Sequence, residues 1–255
     1  MKPSNPNFWT SIDGRLSLRN LETEESVYRN NIFPAWKKNI IDEAIVIYYE
    51  IYDCHSSTYI DDSLYQKDDC YIKQGDIVLD LGANIGIFSR FASDKGAEKV
   101  YSFEPIQENF KLLALNMPDN CEAHKLAISN EDNKTVSIAY KPDCPGGSSM
   151  LKYDDGVLQK CMTMTVSTLI KNKLIQQPDF IKMDIEGAET LAFKGITDTV
   201  LKKTRCIAME MHNDVIGDEG VEYIYSRLTK LGFTSFTLHN PDNNTIVWFT
   251  NKNIN

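Results

Sequence analysis

The segment Asp76-Ile-Val-Leu-Asp-Leu-Gly-Ala-Asn-Ile-Gly86, answered one helix later by Val100-Tyr-Ser-Phe-Glu104, constrains this chain more than any other feature. Ile77, Val78 and Leu79 form the unbroken apolar run of a central parallel strand buried on both faces. Gly82 and Gly86 bracket a tight turn, and Ile85, Phe88, Phe91 and Ala92 then recur at helical spacing up to Lys95, with Gly96 placed as a C-terminal cap. Lys99 to Glu104 reads as a second strand ending in a lone carboxylate. Strand, turn, helix, strand is the opening of an open α/β sheet, in which ligands bind beyond the carboxyl ends of the strands.

The turn excludes most nucleotide ligands. A dinucleotide fingerprint starting at Gly82 needs glycine where Asn84 and Ile87 stand, and no Gly-x-x-x-x-Gly-Lys-Ser/Thr run is present to wrap phosphates. Glu104, 22 residues after Gly82, is spaced to accept hydrogen bonds from two ribose hydroxyls. S-adenosylmethionine (SAM), an adenosine carrying a zwitterionic amino acid and no phosphate, meets these conditions. Gly82, Asn84, Gly86 and Glu104 are then cofactor residues, and Asp80 at the strand tip faces the cationic end of the ligand.

Further along, Glu108 to Met117 reads as a helix, Cys121 to Ile128 as a third parallel strand, and Thr135 to Tyr140 and Met162 to Val166 as short strands. The separator Lys141-Pro-Asp-Cys-Pro-Gly-Gly-Ser-Ser149 reads as a loop in which Ser148 and Ser149 can bond substrate or cofactor. Phe180 to Met183 and Cys206 to Met211 are the fourth and fifth strands, and Val221 to Leu231 an amphipathic helix closed by Gly232. The five-residue polar turn at 240–244, between Thr234 to Leu238 and Thr245 to Phe249, demands an antiparallel pair. The expected fold is therefore α/β, doubly wound, with a mostly parallel seven-stranded sheet and an antiparallel C-terminal hairpin.

Asp80-Leu-Gly-Ala-Asn-Ile-Gly86, Tyr101-Ser-Phe-Glu-Pro105, Leu126-Ala-Ile-Ser129, Gly147-Ser-Ser149 and Ile181-Lys-Met-Asp-Ile-Glu-Gly-Ala-Glu189 together resemble the ordered motifs of the FkbM family of SAM-dependent methyltransferases. The resemblance runs from about Tyr71 to about His212, and the Lys-x-Asp-x-Glu-Gly-Ala-Glu block is its specific part. It implies a class I methyltransferase fold, a cofactor role for Ser129, and O-methylation of a hydroxyl on a carbohydrate or small metabolite. Residues 71–255 would form the methyltransferase domain and residues 1–70 an N-terminal extension. That extension reads as a helix near Ala35 to Asp42 and a strand at Ile45 to Tyr52, pairing with a short strand at Tyr65 to Ile72 as a small accessory sheet or lid.

With strands one, four and five side by side, their tips gather Asp80, Asp184 with Glu186, and Glu210 with His212 around one cleft. Methyl transfer needs the acceptor oxygen held in line and its proton removed. Positioning contributes ~7–11 kcal/mol and a general base about 10²–10⁴-fold. His212 is the first candidate for the base, because an ordinary imidazole is about half unprotonated near neutrality, with Asp184 or Glu210 orienting it. Glu186 opens a helix and faces substrate, and Glu189 caps that helix. Asp184, Glu210 and His212 also offer oxygen and nitrogen ligands to a divalent metal, though no spacing enforces one.

Composition removes other classes. Lysine and arginine number 27 against 36 aspartate and glutamate, a net charge of −9 with no basic stripe, which argues against nucleic acid as substrate. Six cysteines without C-x-x-C spacing suit a reducing cytoplasm. No 18-residue apolar run or leader-like start suggests a membrane span or export. Two rival readings are a non-catalytic module that senses SAM or a sugar and a nicotinamide-dependent oxidoreductase, the latter supported by Glu104 alone.

Overall fold

The computed structural model describes residues 65–141, 144–149, 156–239 and 244–254. The helix and strand expected between residues 35 and 52 lie outside the described residues. The first half of the fold runs β1 (Ile77–Leu81), α1 (Ile87–Asp94), β2 (Lys99–Phe103), α2 (Gln107–Asn116), β3 (Cys121–His124), β4 (Ala127–Ile128), β5 (Thr135–Lys141) and β6 (Cys144–Ser149). The second half runs β7 (Val157–Met164), α3 (Val166–Lys171), β8 (Phe180–Met183), α4 (Glu189–Lys194), α5 (Asp198–Leu201), β9 (Cys206–His212), α6 (Asn213–Lys230), β10 (Phe233–His239) and β11 (Asn244–Asn251).

Seven strands make one sheet in the order β10-β11-β9-β8-β1-β2-β3. β3, β2, β1, β8 and β9 are mutually parallel, and β11 is antiparallel to both β9 and β10. This is the class I methyltransferase architecture expected from the sequence, C-terminal hairpin included. Every residue of β1 is buried, as its apolar run requires of a strand covered on both faces. Strand periodicity sends Leu79, Leu81, Ile181 and Met183 into a core with Phe193, Ile224 and Leu228. Val78 and Phe180 go the other way, against Phe88 and Phe91 of α1 and against Tyr65. Each fully buried phenylalanine stabilises the fold by roughly 1.5–3 kcal/mol.

Three local expectations are corrected. Cys121 to Ile128 is two strands, because the Leu126 N–H turns back to the His124 carbonyl at 3.0 Å and the chain leaves the sheet. Ala127 and Ile128 then pair with β7 in a second sheet of order β4-β7-β5-β6. The proline- and glycine-bearing segment 144–149 is a strand, antiparallel to β5 across a register shift. An edge strand tolerates proline because one row of its backbone groups faces no partner. Tyr65 to Ile72 is not a strand but a turn with one bridge, Lys67 to Cys70. Its carbonyls are taken by side chains of the 205–206 corner, Arg205 Nη2 at 2.9 Å from Tyr71 O and Cys206 Sγ at 3.5 Å from Asp69 O. No helix among the described residues is long and apolar enough to cross a membrane.

Candidate active site

The tips of β1, β2 and β8 surround a cleft of about 640 Å³, partly open to solvent. Its walls include Gly82, Asn84, Glu104, Asp184 and Glu186 together with apolar Phe103, Ile128 and Ile138. Among the described residues no lysine or arginine lines it.

The glycine turn is fixed by hydrogen bonds from the Gly82 and Ala83 N–H groups to the Phe103 carbonyl at 3.0 and 2.9 Å. Gly82 has φ +81°, and a Cβ there would sit 1.7 Å from the Asp184 carbonyl oxygen. The residue is thus glycine because the tips of β1 and β8 touch, a more local reason than ligand approach. Gly86, at φ +96°, gives room in the same way to Met117 and Leu113 of the α2 region. Asn84 also takes a left-handed conformation, at φ +49°, and its N–H donates to Glu104 Oε2 at 2.9 Å. The Ile106 N–H donates to the other oxygen, Oε1, at 2.8 Å. Glu104 is thereby aimed and almost wholly buried, and burial, outweighing these donors, pushes its pKa up to about 8.

Asp80 and Ser129 do not line the cleft. Alternation along β1 turns Asp80 toward α1, where it is 0% exposed and accepts from Ser89 Oγ at 2.5 Å. In register with Asp80 on the next strand stands Lys182. Its Nζ lies 3.4 Å from Asp80 Oδ1 and 3.7 Å from Asp184 Oδ2 and donates to the Gly82 carbonyl at 2.8 Å. Burial alone would discharge this amine, but Asp80 and Asp184 more than offset that and hold its pKa above the ordinary lysine value. Asp80 is consequently the counter-ion of a buried lysine beneath the turn and offers no face to a ligand. Ser129 points its hydroxyl at Asn130 Oδ1, 3.2 Å away. Ser148 and Ser149 lie on β6 with side chains outside the described residues.

On the acidic side, the tips of β8 and β9 do bring the expected groups together. One donor atom each from Asp184, Glu210 and His212 falls within 4.8 Å of the others, a separation compatible with a divalent ion. The imidazole, however, is already engaged at both nitrogens. Nδ1 is 2.9 Å from Glu189 Oε1 and Nε2 is 3.2 Å from Glu186 Oε2. Glu186 is aimed by a left-handed pair, Glu186 at φ +55° and Gly187 at φ +95°. Glu189 opens α4, accepts the Gly187 N–H at 3.0 Å and is 0% exposed. Burial would lower the pKa of His212, but the bonds to Glu186 and Glu189 prevail and push it up to about 11.

A pKa raised this far favours the charged imidazolium at neutral pH, which weighs against the expected role of His212 in taking the acceptor proton. Its orienting partners are Glu186 and Glu189, not Asp184 or Glu210. Asp184 lines the cleft: Oδ2 receives the Tyr65 hydroxyl at 3.0 Å, and Oδ1 is buried without a hydrogen-bond partner. Sequence reasoning missed Lys182, Tyr65 and the Glu189 contact. A lysine inside the buried run Phe180-Ile-Lys-Met183, opposite the buried Asp80, was the available signal for the first.

Residues 80–235 match the family model described as the methyltransferase FkbM domain. The chain belongs to this family. Among curated proteins it is similar to 31-O-demethyl-FK506 methyltransferase FkbM of Streptomyces tacrolimicus, 25% identical over 78% of this chain and 85% of that protein. It is also similar to hexuronic acid methyltransferase AglP of Haloferax volcanii, 25% identical over 56% of this chain and only 59% of that protein. The crystal structure of methyltransferase FkbM from Methylobacillus flagellatus KT superposes with a TM-score of 0.48 at 17% identity, covering 94% of this chain and 63% of that one. The protein is thus a methyltransferase, which sets aside the nicotinamide reading and the non-catalytic module.

Proposed function

We propose that the chain transfers the methyl group of SAM to a hydroxyl of a carbohydrate or small metabolite. The observation that carries this is the cleft itself, where Glu104, Asp184 and Glu186 line the walls with no lysine or arginine among the described lining. Such a wall offers a phosphate no cationic partner and suits a cationic, phosphate-free nucleoside. Glu104 would hold the ribose hydroxyls with the lone pairs its backbone donors leave free, and Phe103, Ile128 and Ile138 would flank the base. One named relative is described as a 31-O-demethyl-FK506 methyltransferase and the other as a hexuronic acid methyltransferase, which favours a hydroxyl acceptor.

SAM, when bound, supplies an electrophilic methyl group on a sulfonium. The Asp184 carboxylate accepts the hydrogen bond of the acceptor hydroxyl and takes its proton as the carbon–oxygen bond forms. Loss of the methyl group would leave S-adenosylhomocysteine, with the acceptor proton on Asp184. The buried Lys182 lies 3.7 Å from Asp184 Oδ2 and donates to the Gly82 carbonyl, which ties the acid to the cofactor turn. His212, fixed as a cation between Glu186 and Glu189, holds the far rim. A net charge of −9 disfavours nucleic acid as the acceptor, and buried free thiols at Cys70, Cys161 and Cys206 suit a cytoplasmic setting.

Two outcomes check this reading. Asp184→Asn is expected to lower S-adenosylhomocysteine release by about 10²–10⁴-fold with SAM affinity within a few-fold of wild type. Equal rates at saturating acceptor would move the proton to another group. For Glu104, a ligand that donates to the carboxylate favours its ionised form, so SAM binding must release a proton below about pH 8. Affinity is expected to rise from pH 6 to 8 and level off above. Glu104→Gln should weaken binding by roughly tenfold or more and flatten that dependence. Calorimetry in buffers of different ionisation enthalpy reads the proton directly, and no release at pH 7 would remove Glu104 from the ribose.

A further inference from the structure

Among the described residues ahead of the cofactor turn, Tyr65 reaches Asp184 at the cleft. Tyr65 precedes the 80–235 stretch that matches the family and is 3% exposed. Its ring packs edge-on against Phe88, with centroids 5.4 Å apart at 82°, and lies 5.2 Å from the Lys182 ammonium. Its hydroxyl donates to Asp184 Oδ2 at 3.0 Å.

We infer that Tyr65 is a positioning residue for methyl transfer, anchoring Asp184 by Oδ2 so that this partly exposed carboxylate keeps one orientation at the cleft wall. The inference rests on Asp184 being the proton acceptor. Oδ2 takes the phenol and has the Lys182 ammonium 3.7 Å away, while Oδ1 is buried without a partner, so the orientation of the carboxylate is set at Oδ2. Packing does not require the hydroxyl, since a phenylalanine ring fills the same space against Phe88 and offers the same face to Lys182. A carboxylate on a two-bond stem has free torsions, and a single donor with fixed ring geometry removes them. The phenol remains a donor across the working range, because burial first, then the charges of Asp184 and Glu210, raise its pKa well above the ordinary tyrosine value.

The test uses the full chain. In protein labelled with 3-fluorotyrosine, the fluorine resonance that disappears in Tyr65→Phe belongs to position 65. Asp184→Asn is expected to shift that resonance, because an amide is a weaker acceptor than a carboxylate; an unmoved resonance in a variant that melts like wild type overturns the contact. With saturating SAM and whichever of D-glucose, D-glucosamine or D-glucuronate supports S-adenosylhomocysteine release, Tyr65→Phe is expected to lower kcat about tenfold and leave the SAM Kd within twofold. A kcat equal to wild type overturns the positioning role, since a packing role is fully met by phenylalanine. If wild type releases no S-adenosylhomocysteine with any hydroxyl compound, the O-methylation reading falls and the inference with it, whereas a fluorine shift without a kcat effect sinks Tyr65 alone.

Discussion

Gly82→Ala is expected to destabilise the protein by about 4 kcal/mol or more and to abolish SAM binding. The added Cβ would lie 1.7 Å from the Asp184 carbonyl oxygen, a backbone atom that cannot rotate away. The φ of +81° adds strain of its own for any residue with a side chain. Relief requires β1 and β8 to part at their tips, where the Asp184 N–H donates to the Leu81 carbonyl at 3.0 Å and Lys182 grips the Gly82 carbonyl. Fold and site fail together because one contact serves both. Urea unfolding with SAM calorimetry checks this, and a variant within 1 kcal/mol of wild type that still binds SAM would show that the strand tips do not meet as described.

The second large effect is His212→Ala, expected to cost ~3–5 kcal/mol at neutral pH, because it leaves the fully buried Glu189 and the adjoining Glu186 without their shared cation. The loss must depend on pH in one direction. In the folded chain the imidazole titrates at about 11, far above the ordinary histidine value of about 6.5, so its contribution is complete below about pH 6.5. It then declines as pH rises toward about 11. The stability gap between wild type and variant is therefore expected to be wide at pH 7 and much narrower at pH 10, as measured by urea unfolding. A gap that stays constant between those pH values would mean the imidazole is neutral in the folded state, and the base assignment would return to it.

What could be read from the sequence follows from how local each signal was. Ile77 to Leu79 declared a central strand because burial on both faces leaves an unbroken apolar run, Phe180 to Met183 declared another despite Lys182, and the polar turn at 240–244 declared the antiparallel pair. From these, the gathering of Asp184, Glu210 and His212 followed by strand order alone. The charge state of His212 did not, since it is set by Glu186 and Glu189 across a turn whose left-handed pair at 186 and 187 aims them inward. The pairing of Lys182 with Asp80 depends on lateral register between strands about a hundred residues apart, which periodicity cannot supply. Segment 144–149 read as a loop because proline and glycine usually break strands, and only its edge position makes the strand possible. Tyr65 was hidden for the same reason as Lys182: its partner Asp184 is 119 residues away.

On the proposed function, the acidic cleft between β1, β2 and β8 holds a cationic nucleoside against Glu104. Calorimetric titration of the full chain at pH 7 with SAM and, separately, with NAD tests it most directly. The account predicts saturable binding of SAM at one site with uptake of a proton by the buffer, and no heat from NAD at millimolar concentration. Binding of NAD in preference to SAM, or SAM binding unaltered in Glu104→Gln, would contradict it.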